Sequence, residues 1–224
     1  GELSEAAAWY GRAVEASRGQ SARRIFVAAT ELLPLGYAGD PSVGGKARAL
    51  LDEVGEVETP YAAYAWYCAG EAVMTSDLEL ARTRLAMAIE LADATHTSFV
   101  TGVAGASKVS IDARLGDPAD AATAYRRLIE HWRRAGVWST QWTMLRSIAV
   151  LLERLDQVRD AAVLEGAVRS TSAGHRIFGA DQATLDELGT RLRSRLGDVA
   201  YEAARREGSV LDGDAAVEHA LASL

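Results

Sequence analysis

The feature that most constrains this chain is an internal repeat. The stretch 116–135, GDPADAATAYRRLIEHWRRA, has recognisable copies about forty residues to either side, a period typical of arrays of helix pairs. Asp120-Ala121-Ala122 returns as Asp160-Ala161-Ala162. In the other direction four further residues of the stretch match four apolar residues at the same shift: Ala121, Tyr125, Leu128 and Ile129 correspond to Ala81, Leu85, Ala88 and Ile89. The sequence therefore predicts helical units that bury their apolar faces against their neighbours.

Apolar residues recur at helical spacing along most of the chain, and no strand-period segment or hairpin turn interrupts them. Pro34 and Gly36 are expected to end the second helix, and Gly197 and Gly208 to separate the last ones. The pattern predicts helices over about residues 2–17, 21–35, 41–54, 59–75, 77–95, 97–115, 116–135, 137–155, 160–174, 181–196, 198–207 and 212–222.

These helices predict an all-α fold: a right-handed superhelix of stacked antiparallel helix pairs resembling tetratricopeptide repeats. Residues 1–175 would form the repeats. Residues 176–224 would form a non-repeating helical cap of the same domain, packed on the last repeat. Trp138 and Trp142, four residues apart, are expected in the core.

Composition narrows the function further. The formal net charge is −7, whereas a nucleic-acid-binding domain normally carries a basic face, so direct nucleic-acid binding is not expected. No apolar run approaches the ~18 residues of a membrane span, and no signal-peptide pattern is seen. The single cysteine, Cys68, lies in an apolar run and predicts a buried thiol in a reducing compartment. We expect a cytoplasmic protein without a membrane partner. Because Gly1 opens directly on a helical pattern without an initiator methionine, we expect a fragment of a longer polypeptide.

The residues predict no catalytic, cofactor or metal site. The string 39–47, GDPSVGGKA, resembles a phosphate-binding loop, but Asp40 stands where the leading glycine belongs and Ala47 where a serine or threonine would bind magnesium. The histidines stand far apart, without a second ligand at metal-binding spacing: His96, His131, His175 and His219. An arginine cluster at 191–206 could face an acidic partner, although acidic residues interleave it and favour a solvated face. We therefore expect a protein that is not an enzyme.

A concave groove, lined mainly by the first helix of each pair, is the expected binding surface of such an array. Polar and aromatic side chains on three helices are the candidates to line it. Lys108 and Asp112 have the spacing of an intrahelical ion pair worth about 0.2–0.5 kcal/mol, but small residues surround them and leave room for a ligand. The candidate residues are Tyr61, Tyr64 and Glu71 on the aromatic helix, Ser98, Thr101, Lys108 and Asp112 on the glycine-rich helix, and Gln141 on the tryptophan helix.

The tail adds a resemblance. It holds a Leu196-Gly197 pair followed by Tyr201, then a Glu207-Gly208 turn, then an Ala-Val-x-x-Ala-Leu helix at 216–221. This order is similar to the end of the helical region in actinobacterial LuxR-type and AfsR-like multidomain regulators. The resemblance implies a signalling ATPase before the helical region and often a DNA-binding helix-turn-helix after it, with an adenylate-cyclase-like domain in some relatives. The chain would then be the helical sensor, and the neighbouring domains its partners.

Two interpretations stay open. The first, which we prefer, is a binding and signalling module in which a partner protein, a peptide or a small inducer occupies the groove. The second is a structural or oligomerisation platform, in which exposed aromatic faces assemble subunits of a multidomain ATPase or copies of the chain itself.

Overall fold

The computed structural model describes residues 2–17, 19, 21–55, 57–135, 138–171 and 180–224. Over these residues the chain has twelve helices and no strand, which confirms that the fold is all-α. The helices are α1 (Glu2–Ala16), α2 (Ser21–Tyr37), α3 (Val43–Val54), α4 (Pro60–Glu71), α5 (Leu78–Ala94), α6 (Ser98–Leu115), α7 (Pro118–Ala135), α8 (Trp138–Arg154), α9 (Val158–Thr171), α10 (Ala180–Leu196), α11 (Asp198–Ser209) and α12 (Gly213–Ser223).

Side-chain caps fix several helix starts where the sequence predicts them. Thr59 accepts a hydrogen bond from the Ala62 amide at 3.1 Å, and Pro60 supplies the fixed dihedral that suits the first turn of α4. Asp77 accepts from the Leu80 amide at 3.0 Å and begins α5. In the tail, Asp212 accepts from the Ala215 amide at 2.9 Å and begins α12.

Several predicted boundaries are wrong, three of them in the first four helices. Helix α2 continues through Pro34 to Tyr37, because its last turn is buried and Gly36 packs directly on the backbone of Ala72. Helix α3 begins at Val43 and not at residue 41, because the Asp40 carboxylate accepts from the amide and hydroxyl of Ser42 and closes a turn before the helix. Helix α4 ends at Glu71 and not near residue 75.

The chain divides into two compact units, Gly1–Lys108 and Val109–Leu224, here called the N-terminal unit and the C-terminal unit. In the N-terminal unit α4 packs against α2, α3 and α5, and α1 packs against α2. Alanines at buried positions of α4 allow these neighbours to approach, and Cys68 lies among them, fully buried. Burial raises the pKa of the Cys68 thiol and of the nearby Tyr67 hydroxyl, so both groups stay protonated in the folded chain.

In the C-terminal unit α9 contacts α8, α10, α11 and α12, while α7 packs on α8. Gly208, predicted to end a helix, lies inside α11 and faces the backbone of α9, where a built Cβ would lie 1.8 Å from the Val163 carbonyl oxygen. On α9, a Cβ at Gly166 would lie 2.3 Å from the Arg205 carbonyl oxygen. These two glycines allow α9 and α11 to pack at backbone contact.

A buried carboxylate joins three helices of the C-terminal unit. Glu165 on α9 is fully buried and accepts from Arg169 Nε at 2.5 Å and from the Tyr201 hydroxyl of α11 at 3.1 Å. Arg205 Nε of α11 lies 3.1 Å from the same carboxylate as an ion pair without hydrogen-bond alignment. Arg169 also binds Asp186 of α10 at 2.9 Å. We call these residues the Glu165 cluster.

The residues related by the shift of about forty positions lie on α5, α7 and α9. Most of them are also buried, while Leu128 and Ile89 are half-buried. The fully or nearly fully buried members are Ala81, Leu85 and Ala88, then Ala121, Ala122, Tyr125 and Ile129, then Ala161 and Ala162. The sequence repeat is therefore a repeat of core positions.

Candidate functional site

An open groove of about 620 Å³ lies in the N-terminal unit between two aromatic rings, Phe26 and Tyr61. The rings are 46% and 44% exposed, which leaves large aromatic surfaces facing solvent. We call it the Phe26–Tyr61 groove. Its lining residues are Gly19, Ser21, Ala22, Arg23, Phe26 and Tyr61.

The first turns of two helices form the groove. Gly19 has a φ of 86°, a left-handed conformation that favours glycine, just before α2 begins at Ser21. The first turn of α2 contributes Arg23, and Phe26 follows one turn later on the same face. Tyr61 is the second residue of α4, where the Thr59 cap fixes the helix start. Since α2 packs on α4, the two starts are held together.

A second layer of side chains supports the Phe26 ring. Tyr64, one turn after Tyr61, stacks on Phe26 with ring centroids 4.9 Å apart and planes 18° apart. The Tyr64 hydroxyl lies 3.3 Å from the Thr30 hydroxyl, which itself donates to the Phe26 carbonyl at 2.8 Å. Burial raises the pKa of Tyr64 above its ordinary value, so this hydroxyl remains protonated. Phe26 is therefore presented to solvent in a fixed orientation.

The groove is locally positive although the chain as a whole is acidic. Arg23 is the one charged residue among those that line it, and it has no ion pair or hydrogen bond within the part of the chain that the structure describes. The first turn of α2 contains no acidic side chain, so the partial positive charge of the helix dipole at this end is not offset by a carboxylate of that turn. The adjacent Arg24, by contrast, is paired with Glu53.

Two of the predicted site residues meet at this groove, and a third lies at the other end of α4. Tyr61 lines the groove and Tyr64 supports it. Glu71 lies ten residues beyond Tyr61, about 15 Å along the helix. There its carboxylate accepts from the Tyr37 hydroxyl at 3.1 Å and from the Ser107 hydroxyl at 2.6 Å, which ties α4 to α2 and α6. One end of the aromatic helix thus lines the groove, and the other end joins three helices.

The candidates on α6 are not among the residues that line the Phe26–Tyr61 groove. Ser98 is exposed at the helix start. Thr101 donates to the Asp93 carboxylate at 2.9 Å, which fixes the α5–α6 turn. Lys108 and Asp112 are half-buried and both have polar partners.

Gln141 belongs to the core of the C-terminal unit. It is 1% exposed, and within the described residues neither atom of its amide has a hydrogen-bond partner. Trp142 beside it is buried, which confirms its predicted core position. The side chain of Trp138 and the whole of His175 lie outside the described residues.

The arginines of the tail are largely satisfied within the C-terminal unit. Arg191 binds the Glu153 carboxylate at 2.8–2.9 Å through two nitrogens, and Arg195 pairs with Asp156. Arg193 binds Asp198 at 2.8 Å. Much of the arginine cluster at 191–206 is therefore paired with acidic residues of the same unit, and less of it is available to an acidic partner.

Neither Arg23 nor Phe26 is among the site residues predicted from the sequence. The α2 core stripe passes through Ala29 and Leu32, which are buried, and Phe26 lies off that stripe. A helical wheel built on those two residues alone would have placed Phe26 at the edge of the buried face. Nothing in the sequence indicates that Tyr61 lies beside it, because that proximity depends on how α2 packs on α4.

The described residues contain no group of three or more His, Cys, Asp and Glu side chains placed to hold a metal ion. None of the described helices combines the length and apolarity needed to cross a membrane. Comparison of the chain with protein families, curated proteins and solved structures finds no match.

Proposed function

We propose that this chain is a non-catalytic sensor and protein-interaction module, and that it binds its partner at the Phe26–Tyr61 groove. The observation that carries the proposal is a pair of half-exposed rings, one of them stacked on Tyr64, beside an arginine without a partner in the described chain. Aromatic residues and arginine dominate the binding energy of protein interfaces. A ring held in place before binding also loses little entropy when it is covered.

The distribution of exposed aromatic side chains favours the same unit. In the C-terminal unit, the large apolar side chains exposed among the described residues are aliphatic: Leu115, Val199 and Val210. In the N-terminal unit they include five aromatic ones: Trp9, Phe26, Tyr37, Tyr61 and Phe99. Large exposed apolar groups are a feature of interaction surfaces.

The proposal extends to the setting of the chain. The buried equivalence of residues about forty positions apart supports a right-handed superhelix of stacked antiparallel helix pairs as the repeat arrangement. The resemblance of the tail to LuxR-type and AfsR-like regulators supports a cytoplasmic role in transcription or signalling. In that setting the partner is an ATPase or DNA-binding domain of the same regulator, or a protein that it senses.

Selection from random peptides displayed on phage tests the binding function. Peptides enriched on the wild-type chain should fail to bind a variant with both Phe26→Ala and Tyr61→Ala, because the two ring walls are gone. They should still bind Phe99→Ala, a matched control in which an aromatic residue that is 59% exposed is removed outside the groove. If no enriched peptide depends on the two rings, the binding proposal is wrong. Hydrolysis of ATP by the chain alone would contradict the non-catalytic role.

The alternative is an oligomerisation platform, and Trp9 is the observation that favours it. This ring is 61% exposed on α1, with the Arg12 guanidinium 3.9 Å from its centroid. Sedimentation velocity over a wide concentration range separates the two functions. If the chain is an oligomerisation platform, it should self-associate and Trp9→Ala should weaken that self-association. A chain that stays monomeric at high concentration would contradict this function.

A further inference from the structure

We propose that the occupant of the Phe26–Tyr61 groove is an extended acidic segment of a partner protein, with a carboxylate one or two residues from an aromatic or large aliphatic side chain. This inference rests on the binding function proposed above and adds the chemistry of the partner. Three features of the groove carry it: its charge, its open shape and the spacing of its side chains.

The charge of the groove selects an anion. Arg23 has no acidic partner in the described part of the chain, and it lies in the first turn of α2, where the helix dipole favours negative charge. A carboxylate at this position would gain a charge-assisted hydrogen bond from the guanidinium. The net charge of −7 on the whole chain disfavours non-specific binding of an acidic segment over the rest of the surface.

The shape of the groove favours a peptide over a small molecule. Small-molecule sites bury about 70–90% or more of their ligand in an enclosed cavity. Here both walls, Phe26 and Tyr61, leave nearly half of their surface open to solvent. A surface of this kind can cover one side of an extended chain while the other side remains in water.

The spacing of the groove residues sets the pattern in the partner. Arg23 and Phe26 are three residues apart on one helix, which places their Cβ atoms about 5–6 Å apart. An extended chain advances about 3.3 Å per residue. A carboxylate bound by Arg23 and an apolar side chain packed on Phe26 should therefore be separated by one or two positions in the partner.

The phage-displayed random peptides already described provide the first measurement. Among peptides that require the two rings, we expect Asp and Glu to exceed Lys and Arg within two positions of the aromatic or aliphatic anchor. If the peptides that require the two rings are neutral or basic, the proposed binding function stands and the inference of an acidic partner is wrong. Absence of ring-dependent peptides would overturn both.

Substitutions at Ser21 give the second measurement, with the most enriched acidic peptide as the probe. Ser21→Glu places a negative charge in the groove and at the start of α2, where the helix dipole stabilises it. It should raise the melting temperature slightly and weaken peptide binding at least about tenfold through like-charge repulsion. Ser21→Gln, of similar size but neutral, should weaken binding less than Ser21→Glu, and the difference between the two variants isolates the effect of the charge. Because loss of binding is expected together with a gain in stability, unfolding cannot account for it.

Arginine variants complete the test. Arg23→Gln should weaken binding about two- to fivefold, the effect of one solvent-exposed ion pair. The control Arg48→Gln, an exposed arginine of α3 outside the groove, should not. Raising the salt from about 0.01 M to 1 M shortens the Debye length from about 30 Å to 3 Å, and it should weaken wild-type binding more than that of Arg23→Gln. Equal binding by wild type, Arg23→Gln and Ser21→Glu would show that the carboxylate contact does not exist.

Discussion

Replacement of Gly208 by alanine should be among the most destabilising single-methyl additions in the C-terminal unit. The new Cβ would lie 1.8 Å from the Val163 carbonyl oxygen, 2.7 Å from its carbonyl carbon and 2.9 Å from the Ala167 amide nitrogen. All three are backbone atoms of α9, so no side-chain rotation can relieve the clash. Helices α9 and α11 would have to move apart instead.

The size of that movement sets the expected loss in the free energy of unfolding. Ordinary contact begins at 3.4 Å, so the shortest distance must lengthen by about 1.6 Å from 1.8 Å. Such a separation would also stretch the 3.1 Å hydrogen bond from Tyr201 to Glu165. Overpacking usually costs about 1–3 kcal/mol and occasionally more, and we expect Gly208→Ala at or above the upper end. Gly166→Ala, with a shortest built distance of 2.3 Å, should cost less.

Urea denaturation followed by far-ultraviolet circular dichroism measures both free energies of unfolding. The matched control is Gly45→Ala on α3, where a built Cβ meets no atom within 4 Å. This variant should be stabilised by about 0.4–1 kcal/mol, because alanine restricts the unfolded chain without a clash in the folded one. A Gly208→Ala variant as stable as wild type, or more stable than Gly166→Ala, would refute the proposed backbone contact between α9 and α11.

Three further outcomes follow from the buried groups. Glu165→Gln leaves two guanidiniums without their carboxylate and should lower the free energy of unfolding in urea by about 2–3 kcal/mol, less than for a fully buried pair because both arginines reach solvent. The control Glu207→Gln, in an exposed pair, should lower it by less than about 1 kcal/mol. Equal losses would contradict the burial argument. The pKa values of Tyr64 and Tyr67 are raised from 10.0, so their contribution to stability is full below about pH 10 and falls as the pH rises further. Phenolate absorbance from these two residues should appear only on unfolding. Titration of every tyrosine near pH 10 in the folded chain would refute this. Cys68, buried with a raised pKa, should react with a disulfide reagent at neutral pH only after urea unfolding, and rapid reaction in the native chain would contradict its placement.

Local patterning was enough to predict most of the helices, because a helix start needs only a cap and an apolar stripe. Asp77 and Asp212 are examples in which a single side chain marks the boundary. The errors arose where tertiary contact overrides local preference. Pro34 does not end α2, and Gly208 does not end α11, because each lies in a buried helix segment whose packing outweighs the intrinsic cost.

Less of the candidate site could be predicted from the sequence. The sequence predicts Tyr61 and Tyr64 as site residues on one aromatic helix, and both lie at the groove. Their partner ring, Phe26, is 35 positions away from Tyr61 and looks like an ordinary core residue in the sequence. Its exposure, and the free charge of Arg23, depend on the packing of α2 on α4, which no single helix pattern encodes.

The Glu165 cluster has a consequence for how a chain of this kind can change its length over evolution. Helix pairs that share only apolar contacts can be duplicated or deleted wherever one pair meets the next. Helix α9 is different, because its buried carboxylate is bonded to Tyr201 of α11, and its Arg169 to Asp186 of α10. A helix pair inserted after α9 would separate these partners and remove the contacts that Tyr201 and Arg205 make with the buried Glu165 carboxylate. Insertion of a helix pair directly after α9 should therefore be selected against.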